Sequence, residues 1–206
     1  MKFENVKDIK RNNLPRKNGV YFFKVNRNVN LHGFENLKNN RIIYIGRAAG
    51  YKKTIFSRFG NHIENNSGYT SSSQSTFRRS LGAILKKDLK LVAYPRISLH
   101  NKPNSIANYN FIKRTTIEEQ YIIKHIDDHS KEEDLTLWIS QNLKFHYIVS
   151  KNPKVLEDEL IEMYQPSLNK SKHNPLSDKL FNNFRKECRL EAKDNCLKTY
   201  GYVPDK

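Results

Sequence analysis

The 206-residue sequence predicts an α+β fold, because β-branched and aromatic runs alternate with segments of helical periodicity. Gly19-Val20-Tyr21-Phe22-Phe23-Lys24-Val25 and Arg41-Ile42-Ile43-Tyr44-Ile45-Gly46 read as two strands, and Lys144 to Val149 as another. Between and after them lie stretches whose apolar residues recur every three or four positions, the repeat of a helix with one buried face.

The Asn-rich residues 26–40 join the first two strands, a connection longer than a tight hairpin and expected to be an exposed loop. Residues 52–66 read as a helix, with Ile55, Phe59 and Ile63 repeating every four residues and Arg58 and His62 at the same spacing on a neighbouring face. A Ser-rich turn, Ser67 to Ser75, leads to a second helix of roughly 76–89 whose buried stripe is Phe77, Leu81, Ile84 and Leu85. Residues 91–99 look extended, interrupted by Pro95, and the polar stretch 100–113 reads as a loop. Thr115 or Thr116, with Glu118 or Glu119 three residues on, forms a capping-box signature that would open a helix over 116–128. Residues 132–142, with Leu135, Trp138 and Ile139, suggest one more. Asn152-Pro153 starts a helix that ends near Tyr164, since proline is tolerated at the first helical position, and Pro166 closes it. A final amphipathic helix spans 177–199, with Leu180, Phe181, Phe184, Cys188 and Cys196 expected inward. No internal repeat or clear linker divides the chain, so residues 1–206 are expected to form a single domain.

The formal net charge of +16 is unevenly spread. Residues 1–62 hold 14 Lys/Arg against 3 Asp/Glu, whereas residues 63–150 hold 12 against 9 and residues 151–206 hold 11 against 9. A local excess of this kind is the footprint of a polyanion-binding surface, and nucleic acid is the expected partner. The bland alternative is a solubilising surface or lysine-rich codon usage. No apolar run approaches a membrane span, and the N-terminal MKFENVKDIK lacks the apolar stretch of a signal peptide. The two cysteines, Cys188 and Cys196, form no CxxC pair, and His100, His125, His129, His146 and His173 show no zinc-ligand spacing. A reduced, cytoplasmic protein without structural zinc is the simplest reading.

Taken in order, several of these residues resemble the GIY-YIG nuclease family. Gly19-Val20-Tyr21 stands for GIY with one conservative change, and Tyr44-Ile45-Gly46 matches YIG, followed by the basic Arg47. Arg58 and His62 match the family's helix-borne arginine and the histidine or tyrosine four residues later. Glu157-Asp158-Glu159-Leu160-Ile161, with Gln165-Pro166-Ser167-Leu168-Asn169 after it, is similar to the family's E-x-x-L-I…P-x-x-N segment. Each piece alone is weak, and their joint order carries the resemblance. It implies a small antiparallel sheet of about three strands flanked by helices, with core residues 15–64 and 144–170. It also implies a mainly helical insertion over about 65–143, because 95 positions separate His62 from Glu157, far more than a compact core needs.

The same resemblance implies a divalent-metal-dependent endonuclease acting on DNA. Glu157, Glu159 and Glu162 share one helix, and the family pattern selects Glu157 as the ligand for Mg²⁺ or Mn²⁺. Glu159, two residues on and roughly 200° round the helix, points elsewhere. A single carboxylate suits Mg²⁺, which keeps several waters and takes phosphate oxygens as ligands. Arg58 would grip the scissile phosphate with its fork. Tyr21 would serve as general base or water-positioning relay, its phenol lowered by Arg47, Arg58 and the metal. Tyr44 and His62 would complete the hydrogen bonding, and Asn169 would hold the site's geometry. Arg47, Lys52, Lys53, Arg78 and Arg79 are candidate DNA contacts. With 37 residues after Asn169, there is no room for a long C-terminal DNA-binding tail. The expected role is a stand-alone nuclease, of restriction type or from a mobile element or phage. A structure-specific, repair-like nuclease and a binding module without turnover are the alternatives. Double-strand cleavage by one site per chain would call for a homodimer. No membrane partner is expected.

Overall fold

Strand β2 (Gly19–Val25) is apolar on both faces and therefore has to be interior. In the computed structural model, which describes residues 1–29, 31, 41–63, 75–95, 121–125, 132–169 and 179–200, it lies inside a four-stranded antiparallel sheet. Its neighbours are β3 (Ile42–Ala48) on one side and β6 (Leu143–Val149) on the other, and the short β1 (Glu4–Asn5) pairs with the far edge of β6. Side-chain alternation along β2 divides the protein into two layers of core. Tyr21, Phe23 and Val25 face one way, into a cluster with Phe59, Phe77, Leu81, Leu135 and Phe145. Val20 and Phe22 face the other way, against Ile45, Leu160 and Ile161.

Three helices cover the first face: α1 (Ile55–Ile63), α2 (Thr76–Ile84) and α3 (Glu133–Asn142). Helix α1 begins three residues later than its periodicity suggests, because Lys52 and Lys53 belong to an exposed turn and the Ile55 N–H donates instead to the Lys17 carbonyl. Phe56 is held between the guanidinium groups of Arg11 and Arg16, 4.1 and 3.9 Å from its ring centre. Helix α2 docks through Phe77, which stacks on Phe23 at 4.3 Å with the rings within 3° of parallel. The second face is covered by α4 (Pro153–Tyr164), which starts at its proline as the sequence suggests and ends at Gln165 in the left-handed conformation.

Between α2 and α3 runs β4 (Leu91–Pro95), paired antiparallel with β5 (Tyr121–His125). The helix expected over 116–128 is thus corrected: residues 121–125 are strand, while the capping-box residues 115–119 lie outside the described residues. Tyr121-Ile122-Ile123 is a β-branched and aromatic run, and pairing with a strand almost thirty residues earlier outweighs a local helix-start signal. Helix α5 (Lys179–Tyr200) packs on this ribbon and inserts Cys188 and Ala192 into the core. Its Glu191 accepts from the Ala93 N–H (3.1 Å) and from Lys86 Nζ (2.6 Å), and Asn195 Nδ2 donates to the Ala93 carbonyl (2.9 Å). The ribbon edge is thereby covered by helix side chains rather than left open. The inward positions expected for Leu180, Phe181 and Cys196 concern side chains outside the described residues.

The stacked pair fastens α2 to the sheet at full burial. Phe77→Ala is expected to cost about 3–5 kcal/mol, read as a lower urea midpoint with little change in slope.

Candidate active site

Strand β3 is an edge strand, so its two faces meet solvent along one rim. Register places Tyr44 opposite Phe23 and Gly46 opposite Tyr21, which puts both on the Tyr21 face. Arg47, opposite Val20, projects on the other face, toward α4. The site therefore wraps around the rim of β3.

Gly46 is required by the tyrosine it faces. A Cβ there would stand 2.4 Å from both Cζ and Oη of Tyr21, well inside contact distance. In that space the Tyr21 hydroxyl sits 2.8 Å from His62 Nε2, and His62 Nδ1 sits 2.7 Å from Ser75 Oγ. Ser75 caps α2 and accepts from the Arg78 N–H at 3.0 Å. The Tyr21 and Tyr44 rings are 6.3 Å apart, with their hydroxyls within hydrogen-bonding reach of each other.

Burial governs the ionisation of this group. It pushes the Tyr21 phenol well above its ordinary value, reinforced by Tyr44 and Glu157 and only partly opposed by Arg58. It likewise lifts Tyr44 to about 12. Burial, with Arg58 and Arg78 nearby, drops His62 to about 3, so its imidazole is neutral. The lowered Tyr21 pKa expected from flanking arginines is therefore corrected, because desolvation at 3% exposure outweighs Arg58. Without a further cation, Tyr21 is a neutral phenol at physiological pH.

Arg58 is the common neighbour of these groups, its charge acting on Tyr21, Tyr44, His62 and Glu157 alike. Its Nε is buried and has no hydrogen-bond partner among the described residues. Its side chain lines an open cavity of about 560 Å³ together with Asn18, Arg47, Lys53, Lys151 and Lys154, the last two around the start of α4. Glu157, on the first turns of α4, meets Arg47 at 3.5 Å and is raised in pKa by partial burial, against the pull of Arg47. Glu159 is exposed.

Asn169 does the work of a missing strand. Its Oδ1 accepts from the Ile45 N–H (2.9 Å) and its Nδ2 donates to the Ile45 carbonyl (2.7 Å), while the Leu168 N–H donates to the Ile43 carbonyl (2.8 Å). The chain after α4 is thus pinned to β3 between Tyr44 and Gly46.

The structure brings Tyr21, Tyr44, Arg58, His62 and Glu157 around one rim, with Asn169 bracing it. Of the expected DNA contacts, Arg47 and Lys53 line the cavity, and Lys52 is exposed in the turn beside it. Arg79 lies close enough to act on Tyr44. Arg78 is a correction: it is fully buried, donating from Nε to Glu132 Oε2 (3.0 Å), from Nη1 to the His62 carbonyl (2.6 Å) and from Nη2 to Thr136 Oγ1 (2.9 Å). The sequence carried a signal for this, since Arg78 lies three and seven positions before the buried Leu81 and Leu85. Ser75, Lys151 and Lys154 also escaped sequence reasoning. Ser75 was visible only as one serine of a polar turn, although it directly precedes a helical stripe.

A family model described as the GIY-YIG catalytic domain matches residues 19–131 and 105–191. The chain belongs to this family of nucleases. No curated protein and no solved structure matches it. Among the described residues, no helix is long and apolar enough to cross a membrane.

Gly46→Ala is expected to displace the Tyr21 ring and lower turnover about 100-fold, with a native far-UV CD spectrum. His62 also makes stability depend on pH. Its pKa falls from 6.5 to about 3 on folding, so in that window the unfolded chain binds the extra proton. Its stabilising contribution is full above pH 6.5 and is lost as pH falls toward 3, by at most about 1.4 kcal/mol per pH unit. Urea unfolding at stepped pH is expected to show a shallower acid loss in His62→Gln than in the native chain.

Proposed function

We propose that this chain is a DNA endonuclease that hydrolyses phosphodiester bonds with the help of a divalent metal ion. The supporting observation is Arg58: a buried guanidinium nitrogen without a partner among the described residues, on a cavity edged by Arg47, Lys53, Lys151 and Lys154. A phosphodiester is the anion that such a fork and basic rim suit. Arg58 would hold the scissile phosphate and offset charge as it develops, while the lysines carry the flanking backbone.

Glu157 fits a cation. It is a half-buried carboxylate whose pKa burial has raised, with Arg47 at 3.5 Å giving only partial compensation. A single carboxylate would suit Mg²⁺ or Mn²⁺, which takes waters and substrate oxygens as its remaining ligands. When bound, the ion would polarise the phosphoryl group and support the leaving oxygen. The neutral Tyr21 hydroxyl, steadied by His62, would position the attacking water, with Tyr44 beside it. That role requires no prior ionisation of a phenol that burial keeps protonated.

The concentration of positive charge in the first 62 residues supports a DNA substrate. Within this reading the enzyme would act in the cytoplasm, in a restriction, mobile-element or phage role. Double-strand cutting would then proceed through a homodimer.

Purified protein is expected to cut plasmid, single-stranded or branched DNA with Mg²⁺ or Mn²⁺. Glu157→Ala and Arg58→Ala are expected to lose at least about 100-fold in rate, and Glu159→Ala to stay near the native rate. Salt-sensitive binding with no cutting under either metal would leave a nucleic-acid-binding module instead.

A further inference from the structure

His62 is held on both ring nitrogens inside the protein, and hydrogen-bond accounting decides which of them carries the proton. The neutral imidazole has one donor and one acceptor. Its two partners, Ser75 Oγ at 2.7 Å and Tyr21 Oη at 2.8 Å, are both hydroxyls and could each serve in either sense. The neighbours of Ser75 break this symmetry. Ser75 Oγ already accepts the Arg78 N–H at 3.0 Å, is itself 2% exposed, and has no other acceptor for its own proton among the described residues. If Nδ1 carried the proton, Oγ would receive two donors while its own O–H stayed buried and unused, an arrangement that folded proteins avoid. If Nε2 carries it, Ser75 and both ring nitrogens are matched. The Arg78 N–H gives to Oγ, Oγ–H gives to Nδ1, and Nε2–H gives to the Tyr21 oxygen. The Tyr21 proton is then directed away from the histidine, with the Tyr44 hydroxyl in reach.

Arg78 fixes both ends of this arrangement. Its backbone N–H orients Ser75, and its Nη1 grips the His62 carbonyl at 2.6 Å. The guanidinium is in turn held by Glu132 and Thr136. The histidine is therefore set by residues lying between α1 and β6, outside the family's motif segments.

We propose that Ser75 is a positioning residue that locks His62 as the Nε2–H tautomer, making His62 a hydrogen-bond donor to Tyr21 rather than the acceptor of its proton. This refines the nuclease reading above and rests on it only for its effect on turnover. The tautomer itself is independent of activity.

Long-range ¹H–¹⁵N correlation of the ¹⁵N-histidine-labelled full chain at neutral pH tests it, with His62→Gln assigning the signal. The expected pattern is an unprotonated Nδ1 and a protonated Nε2 for His62. Ser75→Thr keeps both the cap and the hydroxyl proton and should preserve that pattern. Ser75→Ala should shift both ring nitrogens toward averaged values and lower kcat about tenfold or more, with KM little changed. A protonated Nδ1 in the native chain overturns the proposal, whatever the variants do. So does a His62 pattern that Ser75→Ala leaves unmoved. If the native chain cuts no DNA but shows the expected tautomer, the nuclease reading fails and the assignment stands.

Discussion

The Arg78–Glu132 ion pair is the interaction on which the rest of the site depends. Both side chains are fully removed from solvent, and charges are tolerated there only when paired and hydrogen-bonded. Here the arginine meets the Glu132 carboxylate and carbonyl, Thr136 Oγ1 and the His62 carbonyl. One guanidinium thus ties the end of α1 to the starts of α2 and α3. Loss of either partner would strand a buried charge, at a cost of about 3–5 kcal/mol. Buried pairs of this kind usually add little stability over an apolar replacement, and the geometry here supplies position. It holds His62 where Tyr21 needs it.

Residues whose neighbours are close in sequence were legible. Strand β2 and helix α4 carry their own periodicity and caps, and both begin and end where the sequence places them. Glu157 and Glu159, two residues apart on one helix, stand respectively beside Arg47 and in the open. The illegible features share long-range pairing. Arg78 looked like a surface cation because its partner is 54 residues away, and nothing local marks Glu132 as that partner. Residues 121–125 looked helical because a strand in a two-stranded ribbon is specified by its mate. The direction of the Tyr21 shift could not be read either. Charges can be listed from a sequence, but the depth at which a phenol is buried is a tertiary property, and depth decided the sign.

The cavity shows how a modest basic excess becomes a local field. Arg47, Lys53 and Arg58 come from the charge-rich first third, while Lys151 and Lys154 arrive from about ninety residues later, beside the N-terminus of α4. A helix start adds partial positive charge of its own. Glu157 sits within that field on the same helix. The carboxylate and the cations therefore occupy one rim, with Arg47 in direct reach of the acid at 3.5 Å.

Asn169 has a consequence for the order in which this molecule is built. Its amide replaces a neighbouring strand at Ile45, across 124 residues of sequence. Contacts of such separation form late, after the loops between them have closed. The β2–β3 hairpin that carries both tyrosines can form early, from local contacts alone. Glu157 and the brace on the outer rim of β3 join it only after synthesis has passed residue 169. Assembly of the site therefore waits until residues 157–169 have emerged, so a nascent molecule that stops short of them would carry the tyrosines without the acid.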